Sequence, residues 1–210
     1  MQSLKNRIED LIGSITDHAN IGENALIDFL EASVKDVADK LPSPMLIPYA
    51  KTTNFTANQN TASIANTRLL LVVRNDGSDD IESIEKPINL KSKVSDSQSI
   101  HNASVASPAH IRGVDGKITI YPEDTGHDGT VYYYPYPAVE LGQSYIGAAH
   151  GEFPETAHYA VILGAAMKCL QNIINNLTHA EEDIELAQAT QGELASLQNL
   201  YQLEMQRFIG

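Results

Sequence analysis

Acidic residues and one histidine cluster between two predicted strands, and their types suit a metal ion. The cluster at residues 123–128 (EDTGHD) would offer three carboxylates and the imidazole of His127 as ligands. The same residue types are typical of a solvated turn. None of the seven histidines has another histidine four residues away. We therefore interpret the cluster as a turn and predict no metal site.

Three further segments carry residues that could do chemistry, and each has a simpler explanation. Residues 76–80 (DGSDD) superficially suggest a calcium loop, but the glycine is misplaced for an EF-hand and no glutamate completes the loop. Residues 181–183 (EED) suit the positive end of a helix dipole at a helix start. Residues 150–152 (HGE) have no nucleophile nearby in the sequence. We predict no catalytic residue and no cofactor.

A run of tyrosines at residues 132–136 (YYYPY) is the most unusual local feature. On an extended strand Tyr132, Tyr134 and Tyr136 lie on one side. Stacking on nucleic acid normally also requires interleaved Lys or Arg, which are missing here. Since tyrosine packs apolar area and keeps a polar tip, a core and interface role is favoured. We assign Met205 and Phe208, near the C-terminus, to the same predicted protein interface.

Apolar residues repeat with a helical period at both ends of the chain. Two N-terminal stripes predict helices on either side of residues 17–22, and the second helix ends at Pro42. A third helix begins near Pro154 and carries small residues at 164–166, where a neighbouring helix could approach closely. Thr178 is predicted to cap a fourth, antiparallel helix. The apolar positions of the fourth helix are Leu186, Leu194, Leu197, Tyr201, Met205 and Phe208.

Between these helices the pattern changes to short β-rich runs separated by turns. Residues 67–74 and 117–121 predict strands, and the Asp-Gly pair before the second predicts a hairpin. Residues 131–136 are interpreted as its antiparallel partner, and residues 96–109 as a long surface loop. The sequence therefore predicts an α+β fold. Residues 1–41 and 152–210 are expected to form a helical bundle, and residues 42–151 an inserted small antiparallel sheet with long loops.

The charge balance limits the possible partners. The chain has 210 residues, with 27 acidic against 14 basic residues and a net charge of −13. Affinity for nucleic-acid backbones comes mostly from Lys and Arg, so specific nucleic-acid binding is not expected. The single cysteine, Cys169, lies in an apolar run and is interpreted as a small buried side chain. No apolar run approaches the ~20 residues that span a bilayer, so no membrane association is expected.

Several segments resemble, in order, the neck or head-to-tail adaptor (connector) proteins of tailed-phage virions. They are residues 27–49, residues 131–137 (VYYYPYP), residues 152–155 (EFPE), residues 159–170 and residues 181–187 (EEDIELA). The resemblance is most specific at residues 152–170, where the EFPE start is followed by a tyrosine and small residues. Residues 51–107 match no segment of that family.

The resemblance implies a non-enzymatic structural subunit of a ring, commonly of twelve copies, that joins portal to tail. The implied partners are other copies of the chain, the portal protein, and tail or nozzle proteins, with DNA passing through the lumen. The implied location is the virion neck, after synthesis in the host bacterial cytoplasm. We expect residues 51–107 and 205–210 to contact neighbouring subunits. Two alternatives stay open: another tail or decoration protein of the virion, and a small metal-dependent hydrolase near His127 or His150.

Overall fold

The computed structural model describes residues 2–15, 21–55, 64–123, 126–147, 149, 151–181 and 183–209. The chain divides into two compact units. The helical unit comprises Met1–Tyr49 and Tyr136–Gly210, and the β unit comprises Ala50–Pro135. The long helices and the strands therefore occupy separate parts of one chain, which confirms the predicted α+β class.

The helical unit contains all four predicted long helices. Ser3 caps the first, because its Oγ accepts a hydrogen bond of 3.2 Å from the backbone N–H of Asn6. The second helix ends at Lys40, and its C-cap Leu41 has an extended backbone, as expected for a residue before proline. The helices of this unit are α1 (Leu4–Ile12), α2 (Glu23–Lys40), the short α3 (Ser43–Leu46), α5 (His158–Asn176) and α6 (Ile184–Ile209), and α4 belongs to the β unit.

Helix α5 is the centre of the helical unit and contacts α1, α2 and α6. Its first turns are buried on nearly every side. A Cβ added at Gly164 would lie 3.1 Å from Ser33 Oγ on α2 and 3.8 Å from the ring of Tyr201 on α6. The prediction that small residues let a neighbouring helix approach closely is confirmed. The contact between the start of α5 and the end of α6 also confirms their antiparallel arrangement.

The connection between α5 and α6 differs from the prediction. Leu177–Glu181 form a π-helical turn, and the hydroxyl of Thr178 donates to the carbonyl of Ile174 at 2.8 Å. The cap of α6 is Asp183, whose Oδ1 accepts from the N–H of Leu186 at 3.0 Å. The prediction that Thr178 caps the last helix is therefore wrong. The reason is that the π turn prolongs α5, so the first free amides of α6 come after residue 183.

The β unit contains two small sheets. The first has the strand order β1-β7-β2-β3 and is antiparallel throughout. The second has the order β4-β5-β6, in which β4 and β5 are parallel. The strands are β1 (Lys51–Phe55), β2 (Thr67–Asn75), β3 (Asp80–Glu82), β4 (Ile84–Glu85), β5 (Ala109–Arg112), β6 (Ile118–Tyr121) and β7 (Gly129–Pro135), and α4 (Lys91–Val94) follows β4.

The predicted hairpin turn exists, but the prediction that residues 131–136 pair with β6 is wrong. The turn closes where the N–H of Gly113 donates to the carbonyl of Lys117 at 2.8 Å, and Gly116 has φ +77°. This turn joins β6 to β5, a strand that was not predicted and that overlaps the predicted loop of residues 96–109 only at Ala109. Strand β7 pairs instead with β1 and β2. The short turn brings β5 next to β6 along the chain, which leaves β7 available for the other sheet.

Two apolar clusters hold the β unit together. The first joins side chains of both sheets, and its buried members are Phe55, Ile64, Val72, Ile118, Ile120 and Val131. The second lies under β5 and α4, and its buried members are Val94, Ala103, Ala109, Ile111 and Tyr121. Ile118 and Ile120 therefore belong to one cluster and Tyr121 to the other, as the alternation of side chains along a strand requires.

Candidate interaction surface

The tyrosine run is divided between the two units. Tyr134 lies on the central strand β7 and is 1% exposed, so it is a core side chain of the described structure. Tyr132 is half-buried on the same strand, and Tyr133 packs against the first apolar cluster of the β unit. Tyr136 follows the end of β7 and belongs to the helical unit. Tyr134 is therefore a core side chain of the β unit, whereas Tyr136 belongs to the helical unit.

Tyr136 is held by two side chains of α2. Its hydroxyl donates to Asp39 Oδ1 at 2.5 Å, and Lys35 Nζ lies 5.5 Å from the centre of its ring. The ring is half-buried. Tyr136 therefore contacts both an acidic and a basic side chain within its own helical unit.

Tyr201 on α6 makes the same kind of contact with another aspartate and lysine of α2, Asp36 and Lys40. Its hydroxyl donates to Asp36 Oδ2 at 2.7 Å, and Lys40 donates to the same oxygen at 2.8 Å. Lys40 Nζ is also 5.2 Å from the centre of the Tyr201 ring. Burial raises the pKa of Asp36, but the hydrogen bonds from Lys40 and Tyr201 outweigh it and keep that pKa below its ordinary value. Burial and the bond to Asp36 raise the pKa of Tyr201.

Helix α6 buries one stripe and leaves a second set of apolar side chains exposed. Met205 is 6% exposed and Phe208 is half-buried, so both predicted interface residues lie along the buried stripe. Sequence reasoning placed Leu186 in that stripe, but it is exposed. Residues 194–203 contain no charged side chain. The exposed large apolar residues of α6 are Ile184, Leu186, Leu200 and Leu203.

Charge is distributed unequally between the units. The helical unit holds 17 acidic and 6 basic residues, a net charge of −11. The β unit holds 10 acidic and 8 basic residues, a net charge of −2. The acidic excess of the chain is therefore almost entirely a property of its helical unit.

The β unit also contains a basic segment that sequence reasoning missed. Residues 86–93 (KPINLKSK), which we call the lysine segment, contain three lysines and no acidic residue. Lys91, Lys93 and Ile88 are exposed, Ile88 by 55%. None of the three lysines forms an ion pair with an acidic residue in the described parts of the chain. The sequence shows the three lysines, but only the structure shows that they lie next to an exposed isoleucine.

The segments considered for metal binding form turns and an open cleft. Asp76 Oδ1 accepts from the N–H groups of Ser78 and Asp79, each at 2.8 Å, which confirms a turn there. His127 lines a cleft of about 550 Å³ together with Asp80 and Asp128. Within the described residues, no three His, Cys, Asp or Glu side chains are grouped as a metal site. Asp124, Glu182 and His150 lie outside the described residues.

Three buried titratable side chains belong to the interior. His110 Nδ1 lies 3.1 Å from Ser83 Oγ, and burial lowers the pKa of the imidazole. Cys169 is buried as predicted, and burial raises the pKa of its thiol to about 12. Arg74 is fully buried, donates to the carbonyl of Pro122 and lies 5.9 Å from the Phe55 ring centre, and burial lowers its pKa.

No helix in the described parts of the chain has the length and apolarity needed to cross a membrane.

The described structure therefore offers exposed apolar and charged surface. A search among curated proteins finds no match. A family model described as SU10 adaptor protein matches residues 1–208, which is nearly the whole chain. The chain belongs to the SU10 adaptor protein family, a family of phage structural adaptor proteins.

Proposed function

We propose that this protein is a ring-forming subunit of the phage neck that joins the portal to the tail and lines the DNA passage. The observation that carries the proposal is the family match over residues 1–208. A structural adaptor acts by contact with other virion proteins, so its function depends on exposed surface and not on a catalytic centre. The expected partners are further copies of the chain, the portal, and tail or nozzle proteins.

The charge of the chain supports a position around DNA. Each copy carries a net charge of −13, and the helical unit alone carries −11. Closed rings multiply these charges around one axis. Because DNA is also negative, an acidic wall repels it and allows it to slide without adhering. A ring of twelve copies, as in the resemblance described above, would present this repulsion on all sides of the passage.

The packing of the helical unit supports a mechanical role. Helix α5 contacts three other helices, and α2 is joined to α6 and to Tyr136 by hydrogen bonds to Asp36 and Asp39. Several helices fixed against one another form a stiff element that transmits load between partners. At the same time, Ile184, Leu186 and Leu203 remain exposed for contact.

Electron microscopy of the purified chain mixed with the portal protein of the same genome tests the proposal. We expect rings of this chain stacked on the portal with the portal's rotational symmetry. Purified virions labelled with an antibody to the chain provide the second observation, and label is expected at the neck. Label on the tail or capsid surface with a bare portal would replace the neck assignment by another structural position. Complete absence from virions would contradict a structural role.

A further inference from the structure

Two exposed segments of the chain are complementary in both charge and apolar character. The lysine segment of the β unit carries three lysines around the exposed Ile88. The start of α6 carries Glu185 between Ile184 and Leu186, which are 64% and 49% exposed. We call residues 183–186 the acidic segment. Each segment thus offers apolar side chains next to charges of one sign, and the two signs are opposite.

We infer that the lysine segment of one copy binds the acidic segment of the neighbouring copy, and that this contact joins subunits of the ring. The inference rests on the proposed function, because it names a contact within that ring. Such a contact is head-to-tail, since each copy uses a different surface on each side. Repeating it with a fixed rotation closes a ring, and both segments of every copy are then occupied.

The overall charge favours a second copy as the occupant. Two chains that each carry a net charge of −13 repel one another in most relative orientations. The lysine segment carries three cations and no acidic residue within its eight positions. An approach that brings it against the helical unit, with its net −11, replaces repulsion by attraction.

The apolar side chains argue for a protein surface over a nucleic acid. Ile88 is 55% exposed within the lysine segment, and nearby Ile84 is 54% exposed. Contact with DNA phosphates would use the lysines and leave both isoleucines in water. Contact with Ile184 and Leu186 would bury apolar area on both sides, with the charges around it. The exposed isoleucines therefore distinguish the two classes of partner.

Charge reversal with matched controls tests the contact. The variant Lys91→Glu/Lys93→Glu reverses two charges of the lysine segment, and Lys5→Glu/Lys117→Glu reverses two lysines outside residues 51–107 and 205–210. Ring assembly, alone or on the portal, is followed by sedimentation velocity and negative-stain microscopy. We expect the first variant to raise the concentration for half-assembly about tenfold or more, and the control to change it little.

A second variant, with the opposite charge change in the acidic segment, tests whether the two changes compensate for each other. Glu185→Lys/Gln188→Lys places two cations in or beside the acidic segment, and Asn24→Lys/Asp28→Lys is the control of equal charge change on a part of α2 without large exposed apolar neighbours. We expect Glu185→Lys/Gln188→Lys to impair assembly by itself and to restore it when combined with Lys91→Glu/Lys93→Glu. Circular dichroism and the melting temperature of each variant identify any that fail to fold. For those, Glu185→Gln and Lys93→Gln give the same test with smaller changes.

The outcomes separate this inference from the proposed function. If the unmodified chain forms no ring, alone or on its portal, the proposed function fails. If it forms rings and both segment variants assemble like their controls, only the contact proposed here is overturned. A third outcome is that Lys91→Glu/Lys93→Glu assembles normally but loses binding to a labelled DNA duplex in anisotropy measurements. That result would assign the lysine segment to DNA and also overturn the contact.

Discussion

The hydroxyl of Tyr201, near the end of the chain, donates a hydrogen bond of 2.7 Å to Asp36 on α2. The two residues are 165 positions apart in the sequence. Lys40 donates to the same carboxylate and lies over the tyrosine ring, so three side chains from two helices form one contact. This contact fixes α6 against α2 on the same side of the bundle where Gly164 lets the helices approach.

Replacing Tyr201 with phenylalanine removes that hydrogen bond and leaves the ring. We expect a loss of about 1–2 kcal/mol in the free energy of unfolding, because a partly buried carboxylate loses a donor. The loss is measured by urea denaturation. Tyr159→Phe is the matched control, because Tyr159 is 40% exposed on α5, and its loss should be smaller. Equal losses in the two variants would show that the Asp36 contact contributes little.

Gly164 and Gly192 form a matched pair of helical glycines with opposite surroundings. A Cβ at Gly164 would meet Ser33 at 3.1 Å, whereas nothing lies within 4 Å of a Cβ at Gly192. We expect Gly164→Leu to destabilise the chain by about 2 kcal/mol or more through overpacking. We expect Gly192→Leu to stabilise it by about 0.5–1 kcal/mol through helix propensity. Thermal and urea unfolding measure both, and a neutral Gly164→Leu would contradict the close packing of α2 and α5.

His110 makes stability depend on pH in the weakly acidic range. Burial lowers the pKa of His110 in the folded chain, so between that pKa and the unfolded value of about 6.5 the unfolded state binds more protons. Stability contributed by neutral His110 is therefore present above about pH 6.5 and falls as the pH decreases through this range. Urea unfolding at pH 5 to 8 should show a shallower decline for His110→Asn. His179→Asn, at an exposed position, should keep the original slope.

Cys169 should be chemically silent in the folded chain. Burial raises the pKa of its thiol to about 12, so at neutral pH almost none of it is thiolate, and the side chain is also inaccessible. We expect a thiol reagent to modify one cysteine per chain rapidly in denaturant and very slowly in native buffer. Rapid modification of the native chain would mean that α5 opens readily from the bundle.

Helical periodicity was the most informative part of the sequence. It predicted α1, α2, α5 and α6 because these helices bury one broad face, and burial imposes the 3.6-residue repeat on the residue types. The close approach at Gly164 was also predictable, since only small side chains allow it. Strand existence was predictable for β2, β6 and β7. Their pairing was not, because an alternating strand carries no information about which neighbour it joins.

The surface was less predictable than the core. Leu186 has the same residue type as the buried Leu197, and only the positions of α2 and α5 determine that it is exposed. Tyr134 shows the reverse, since its chemistry suits an interface but its place on the central strand β7 buries it. The lysine segment could have been found from the sequence by its three lysines without an acid. Its exposure next to Ile88 required the structure.

The helical unit is made from both ends of the chain, and this has a consequence for its synthesis. Helices α1 and α2 leave the ribosome more than a hundred residues before α5, which is the surface they pack against. At the usual pace of translation this interval lasts roughly ten seconds. During that time their apolar faces have no native partner, while the β unit can already fold. The newborn chain therefore depends on its solubility, to which its many carboxylates contribute, until its last third has been translated.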